Sequence, residues 1–96
     1  MRNYEGVSII SPELSNDVSK GVVTQIQELV SKNGGRVDGI QEWGKKRLAY
    51  KIKKKQEGNY VVVNFQLESK SAKKLDQALR LNDNLLRFFL VNKDAL

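Results

Sequence analysis

Hydrophobic residues recur along this chain with two periods, and the switches between them outline its elements. Tyr4 to Ile10 is rich in β-branched residues and ends at Ser11-Pro12, where proline removes a ladder donor and restricts its neighbour, so a strand is predicted there. Alternation puts Val7 and Ile9 on one side and Tyr4 and Ile10 on the other, so both faces are candidates for cover. Val18, Val22, Ile26, Leu29 and Val30 then recur at helical spacing, which predicts a helix capped by Asp17 and stopped by Gly34-Gly35. Gly21 inside it costs about 1 kcal/mol relative to alanine without displacing the helix.

Arg36 to Trp43 predicts a second strand, Gly44 a bulge or change of direction, and Lys45 to Ile52 a further extended segment. A polar turn is expected from Lys53 to Gly58. Asn59 to Leu67 follows as a strand in which Val61, Val63, Phe65 and Leu67 share the face turned to the helices, leaving Tyr60, Val62, Asn64 and Gln66 on the open side. That open side offers a mixed apolar surface suited to a partner. Ser71 is the expected cap of a helix carrying Ala72, Leu75, Ala78 and Leu79; Asn82-Asp83-Asn84 makes the next turn, and Leu85 to Val91 is the last strand. The order strand, helix, strand, strand, helix, strand predicts an α+β fold, a ferredoxin-like split β-α-β sandwich with a four-stranded antiparallel sheet and two helices on one face. Residues 1–96 are expected to form a single domain.

Composition narrows the chemistry. The chain has no cysteine and no histidine, which removes disulfides, thiolate metal sites, the commonest metal ligand and the usual proton shuttle. No phosphate-binding glycine loop and no evident carboxylate pair appears either, so neither enzymatic activity nor a cofactor, metal or small-molecule substrate is expected. The opening MRNYEG has no signal-peptide core, and the apolar runs are far too short for a membrane span, so a soluble cytoplasmic protein without a membrane partner is expected.

The net charge of +6 is concentrated. Lys45, Lys46, Arg47, Lys51, Lys53, Lys54 and Lys55 supply seven of the seventeen basic side chains within eleven residues that contain no acidic one. On a strand and its turn these cations can reach phosphates spaced along a nucleic-acid backbone, and Arg2, Arg80 and Arg87 can extend the surface. The competing reading is a solvated hairpin that lysines protect from edge pairing. Tyr50 and Tyr4 suit stacking on unpaired bases as well as cross-strand packing. Trp43 suits an interface anchor, although packing at the core or sheet edge is favoured for it. The segment from Glu57 to Phe65 loosely matches the third-strand signature of RNA-recognition motifs, but the two stacking positions fall on Asn59 and Val61. Base stacking on the sheet face is therefore not expected.

MRNYE at the start, GGRVDGIQEWGKKRLAYKIKKKQEGNYVVVNF in the middle and LRLNDNLLRFFLV near the end resemble the bacterial small-subunit ribosomal protein S-six family, across almost the whole chain. The most specific part is Trp43-Gly44-Lys45-Lys46-Arg47-Leu48-Ala49-Tyr50. The resemblance implies a ferredoxin-like fold, no catalysis, and binding to the central domain of small-subunit ribosomal RNA together with ribosomal protein S-eighteen. Carried over, Arg2, Tyr4, the Lys45 to Tyr50 string, Arg80 and Arg87 become RNA-facing or partner-facing positions. Trp43, Leu48, Tyr60 and Val62 are the candidates for protein contact. Two departures stand out: the family commonly has proline where this chain has Lys51, so a retained edge donor and a different hairpin shape are expected, and many members carry a polar tail beyond the equivalent of Leu96, whose role is expected to be absent. The alternative is a protein-interaction module whose basic hairpin binds an acidic protein. A small phosphate-ester hydrolase is disfavoured by the missing catalytic groups.

Overall fold

In the computed structural model, which describes residues 1–95, the chain runs β1 (Arg2–Ile10), α1 (Asn16–Lys32), β2 (Arg36–Ile52), β3 (Lys55–Leu67), α2 (Ser69–Arg80), β4 (Leu85–Asn92) and a closing 3-10 turn at Lys93–Ala95. Leu96, where the expected lack of a tail begins, lies outside the described residues. The four strands form one antiparallel sheet in the order β2-β3-β1-β4. Both helices lie on one face. Val22, Ile26 and Val30 of α1 and Ala72, Leu75 and Leu79 of α2 are buried against Tyr4, Ile10, Val61, Val63, Phe65, Leu67 and Phe88 from the sheet. The face expected from the alternation of β3 is therefore the one the helices cover.

Local chemistry sets where the elements end. Ser15, not Asp17, caps α1, its hydroxyl accepting from the Val18 amide at 3.3 Å; Asp17 sits in the first turn, where a carboxylate still favours the helix dipole. At the other end Gly34 takes φ 77°, and the amides of Gly34 and Gly35 donate to the Ser31 and Val30 carbonyls, a Schellman closure. Gly35 also has no room for a side chain, since a Cβ there would lie 2.3 Å from the Gln66 carbonyl oxygen. Helix α2 begins two residues before the expected cap Ser71, with Glu68 as N-cap and no side-chain cap bond. Leu67 is fully buried at the end of β3, so the chain must turn at once to carry Ala72, Leu75 and Leu79 back over the core.

The expected polar turn over Lys53 to Gly58 is shorter than its composition suggests. Ile52 pairs with Lys55, leaving only Lys53 and Lys54 in the turn at φ 49° and 67°, while Lys55 to Gly58 belong to β3. Positive φ at both central residues is the hairpin geometry that matches strand twist, and it overrides the residues' own preference for φ below zero. Lys54→Gly is expected to stabilise the protein by about 0.5 kcal/mol, and Lys54→Val to cost roughly 1–2 kcal/mol, because a β-branched side chain fits this region worst. Urea denaturation of the two variants against the parent reads the difference directly.

The second sheet face is closed at one end and open at the other. Ile9, Ile52 and Leu86 form a small buried cluster there, with Leu48 and Tyr60 packed on it. Both faces of β1 are thus covered, as its mixed alternation anticipates. Val62 is 0% exposed and so presents no surface to a partner, contrary to its assignment as an open-side contact. Its neighbours in the ladder are Val7 and Gln41, and a central strand is flanked on both sides where an edge strand is not.

Candidate nucleic-acid interface

The basic run lies on a two-stranded ribbon that outgrows the sheet. β1 ends at Ile10, opposite Asn59, so Lys55 to Gly58 of β3 and the facing part of β2 extend beyond it. Three irregularities then re-aim β2. One extra residue enters between Val37 and Gly39 and another between Glu42 and Gly44, where Gly44 takes φ 80°, so the glycine does mark a bulge. Between Arg47 and Ile52 the excess is larger, with Leu48 to Lys51 standing opposite Gln56 alone. These bulges add twist, and the ribbon curls over the open sheet face toward the far edge.

Contacts across the sheet hold that curl. Ile52 is buried on Ile9 and Leu86, a burial that stabilises by about 2 kcal/mol. Lys53 Nζ donates to the Leu85 carbonyl at 3.3 Å, and Arg87 Nη1 donates to the Tyr50 hydroxyl at 3.4 Å. Strands β2 and β4 are opposite edges of the sheet, yet Tyr50 of one meets Arg87 of the other. The Tyr50 string thereby joins Arg87 to the basic run.

The cations lie on both ribbon faces. Gly58 sits against Ile9 on the face opposite the helices, and Lys46 pairs with Gly58, so Lys46 belongs to that face; Lys45 and Arg47, opposite Asn59 and Glu57, belong to the other. Lys54 is exposed at the tip. Among the described residues, Lys55 is the one cation of the run with a carboxylate partner, Glu13, which reduces its availability to phosphate. The rest have no carboxylate partner among the described residues, although Lys53 donates to the Leu85 carbonyl. Arg80, at the end of α2, shares Asp76 at 3.0 Å and remains exposed.

Aromatic groups flank this charge. Trp43 is 50% exposed and stacks on Tyr60 with centroids 6.3 Å apart, and Lys46 Nζ stands 5.6 Å over the Trp43 ring. Tyr50 is 61% exposed, its ring 5.9 Å from the Arg87 guanidinium, which lies at the same distance over Phe89. Trp43 is therefore packed at the edge and available to a partner at once. Leu48 and Tyr60 are half-buried beneath the ribbon.

Two expected positions do not join this surface. Tyr4 is 6% exposed and stacked on Phe65 at 5.8 Å in the main core, so it packs and does not reach a base. It lies on the helix-covered face of β1, together with buried Gly6, Ser8 and Ile10. Arg2 pairs with Leu67, whereas Lys45 pairs with Asn59, which puts Arg2 roughly 25 Å along β3 from the ribbon. Phe89 was not singled out by the sequence reading. Its place beside Arg87 on the open face could be inferred only from its alternation with buried Phe88.

At the Arg2 end, the Asp94 carboxylate accepts from the Asn3 amide at 2.8 Å and from the Asn3 side chain at 3.2 Å. The backbone bond first, then the side-chain bond and the nearby charge of Arg2, hold the Asp94 carboxyl below its ordinary value of 3.8. A depressed carboxyl stabilises the fold fully above pH 3.8 and loses that contribution as pH falls through the lower folded value. Hydrogen exchange at the Asn3 amide is expected to accelerate below pH 3.8 in the parent beyond any change seen in Asp94→Asn.

Known proteins share this arrangement. A family model described as ribosomal protein S6 matches residues 3–92. Small ribosomal subunit protein bS6 of Thermoanaerobacter pseudethanolicus is 40% identical over 94 residues, covering 98% of this chain and 99% of the relative. The protein of the same name from Carboxydothermus hydrogenoformans is 37% identical, covering 98% of each. The crystal structure of 30S ribosomal protein S6 from Thermotoga maritima has a TM-score of 0.90 at 24% identity over 98% of this chain and 89% of that one. The C-terminal domain of MgtC from Mycobacterium tuberculosis has a TM-score of 0.66 at 13% identity over 96% and 87%. These two structures bear on fold alone, and a fold shared so widely leaves function to the surface it carries.

Proposed function

The chain belongs to the ribosomal protein S6 family, and from that premise we propose that it binds the central domain of small-subunit ribosomal RNA together with ribosomal protein S-eighteen. It is a structural component of the small ribosomal subunit, ribosome-associated in the cytoplasm, and not an enzyme. The observation that carries the RNA reading is the projecting ribbon, whose cations other than Lys55 have no carboxylate partner among the described residues. Charge on both faces of the ribbon suits placement between two stretches of phosphate backbone. The exposed Trp43, stacked on Tyr60, and the half-buried Leu48 favour protein contact beside it.

Footprinting of the central-domain RNA with this protein, with S-eighteen, and with both tests the reading. Protection that requires this chain is expected, at least in the presence of its partner. Protection that is the same without it would overturn the reading. With about four of the basic groups on phosphates, log affinity falls with log salt at a slope of roughly −3 to −4. A salt-independent affinity would exclude phosphate neutralisation as its source.

A further inference from the structure

Along the free edge of β4, between the end of α2 and the curled ribbon tip, lies a cavity of about 410 Å³, bordered by Lys53, Arg80, Arg87 and Phe89 over a floor that includes Leu79, Leu86 and Phe88. We infer that this cavity holds one unpaired nucleotide of the bound RNA, with its phosphate on Lys53 and Arg80 and its base against Arg87 and Phe89. The inference rests on the RNA-binding reading above and adds a subsite to it.

The chemistry of the rim supports a single nucleotide over a length of duplex. The volume falls within the range of roughly 300–1,000 Å³ typical of small-ligand sites, whereas paired backbone is convex and rests on a surface. Arg80 commits Nε to Asp76 and keeps its terminal N–H groups for an oxyanion, and Lys53 spends one of three donors on the Leu85 carbonyl. Arg87 Cζ lies 5.9 Å from the Tyr50 ring and from the Phe89 ring, and its Nη1 donates to the Tyr50 hydroxyl, contacts that orient the guanidinium. Guanidinium planes and aromatic rings are the groups on which unpaired bases stack. Phe89, 42% exposed on a strand whose alternate residue Phe88 is buried, supplies such a ring at the cavity wall. This stacking surface comes from β4, so the unsuitable residues Asn59 and Val61 of β3 do not preclude it.

The test compares two central-domain RNA hairpins, one carrying a single unpaired 2-aminopurine nucleotide and one fully paired, in the same salt, with and without S-eighteen. The parent protein is expected to bind the first about tenfold more tightly and to quench its fluorescence, as stacking of one base predicts. Phe89→Ala is expected to lose that preference and the quenching while retaining affinity for the paired hairpin, and Phe89→Trp to keep both. The half-exposed ring allows either variant to fold. Equal affinity of the parent for both hairpins, or equal weakening of both by Phe89→Ala, overturns the subsite and leaves the RNA-binding reading standing. Binding of neither hairpin under either condition overturns that reading together with the subsite.

Discussion

Replacement of Lys45, Lys46 and Arg47 together by alanine is expected to weaken binding to central-domain ribosomal RNA about a hundredfold near 0.15 M salt and to reduce the salt slope by about 2 to 3. Each phosphate contact contributes roughly 0.7 to 0.9 to the slope, and three such contacts at this salt amount to about two decades of affinity. The substitutions are placed to leave the fold intact. All three side chains are exposed, none forms an ion pair among the described residues, and the ribbon is held by Ile52, Tyr50 and Lys53 instead. Because Lys46 lies on one ribbon face and Lys45 and Arg47 on the other, single substitutions separate the two. Loss confined to Lys46→Ala would mean RNA on the open face only. Filter-binding titrations at several salt concentrations, with circular dichroism as the folding control, measure both quantities, and an unchanged slope in the triple variant would move the RNA surface away from the ribbon.

Phe65→Ala is expected to cost about 4 kcal/mol and to lower Tm by roughly 20 °C. Phe65 is 1% exposed near the end of β3, paired with Tyr4 on one side and Val37 on the other, stacked on Tyr4 and pressed against Gly6, where a Cβ would lie 3.3 Å from its ring. Its removal leaves a cavity bounded on one side by sheet and on the other by both helices, and close-packed layers of this kind relax little. A stability of about 5–15 kcal/mol is usual for a domain, so this one change removes a large share. Scanning calorimetry checks it. A loss below about 1 kcal/mol would mean that Tyr4 and Phe88 refill the space, and the core would be looser than its burial indicates.

The helical stripe of α1, the alternation of β3 and the glycines after Asn33 were legible because each is a local pattern whose period or backbone requirement the residues themselves carry. Charge in the ribbon was legible for the same reason. Cap positions were less so: Ser15 and Asp17 are both competent N-caps, and the choice between them follows from where the chain leaves β1. The Lys53-Lys54 turn was hidden, since neither lysine announces a positive φ and only the pairing of Ile52 with Lys55 imposes it. Tyr4 and Val62 show the same limit from the other side. Strand alternation reports which residues share a face, but not whether a second cluster or a neighbouring strand covers that face.

Sequence alone determined the order of elements, the split β-α-β architecture, the absence of histidine and cysteine chemistry, and the concentration of cations between Lys45 and Lys55. All of these are properties of neighbouring residues or of composition. The tertiary structure decided which cations meet. Bulges at Asp38, Trp43 and Leu48 to Lys51 curl β2 over the sheet, bringing Tyr50 to Arg87 and Lys53 to Leu85 across a sheet whose strand order separates them, while Arg2 is left at the other end. The physical reason is that twist and bulging accumulate over a whole strand and are fixed by distant burial, here of Ile52 on Ile9 and Leu86, which no local window of the chain contains.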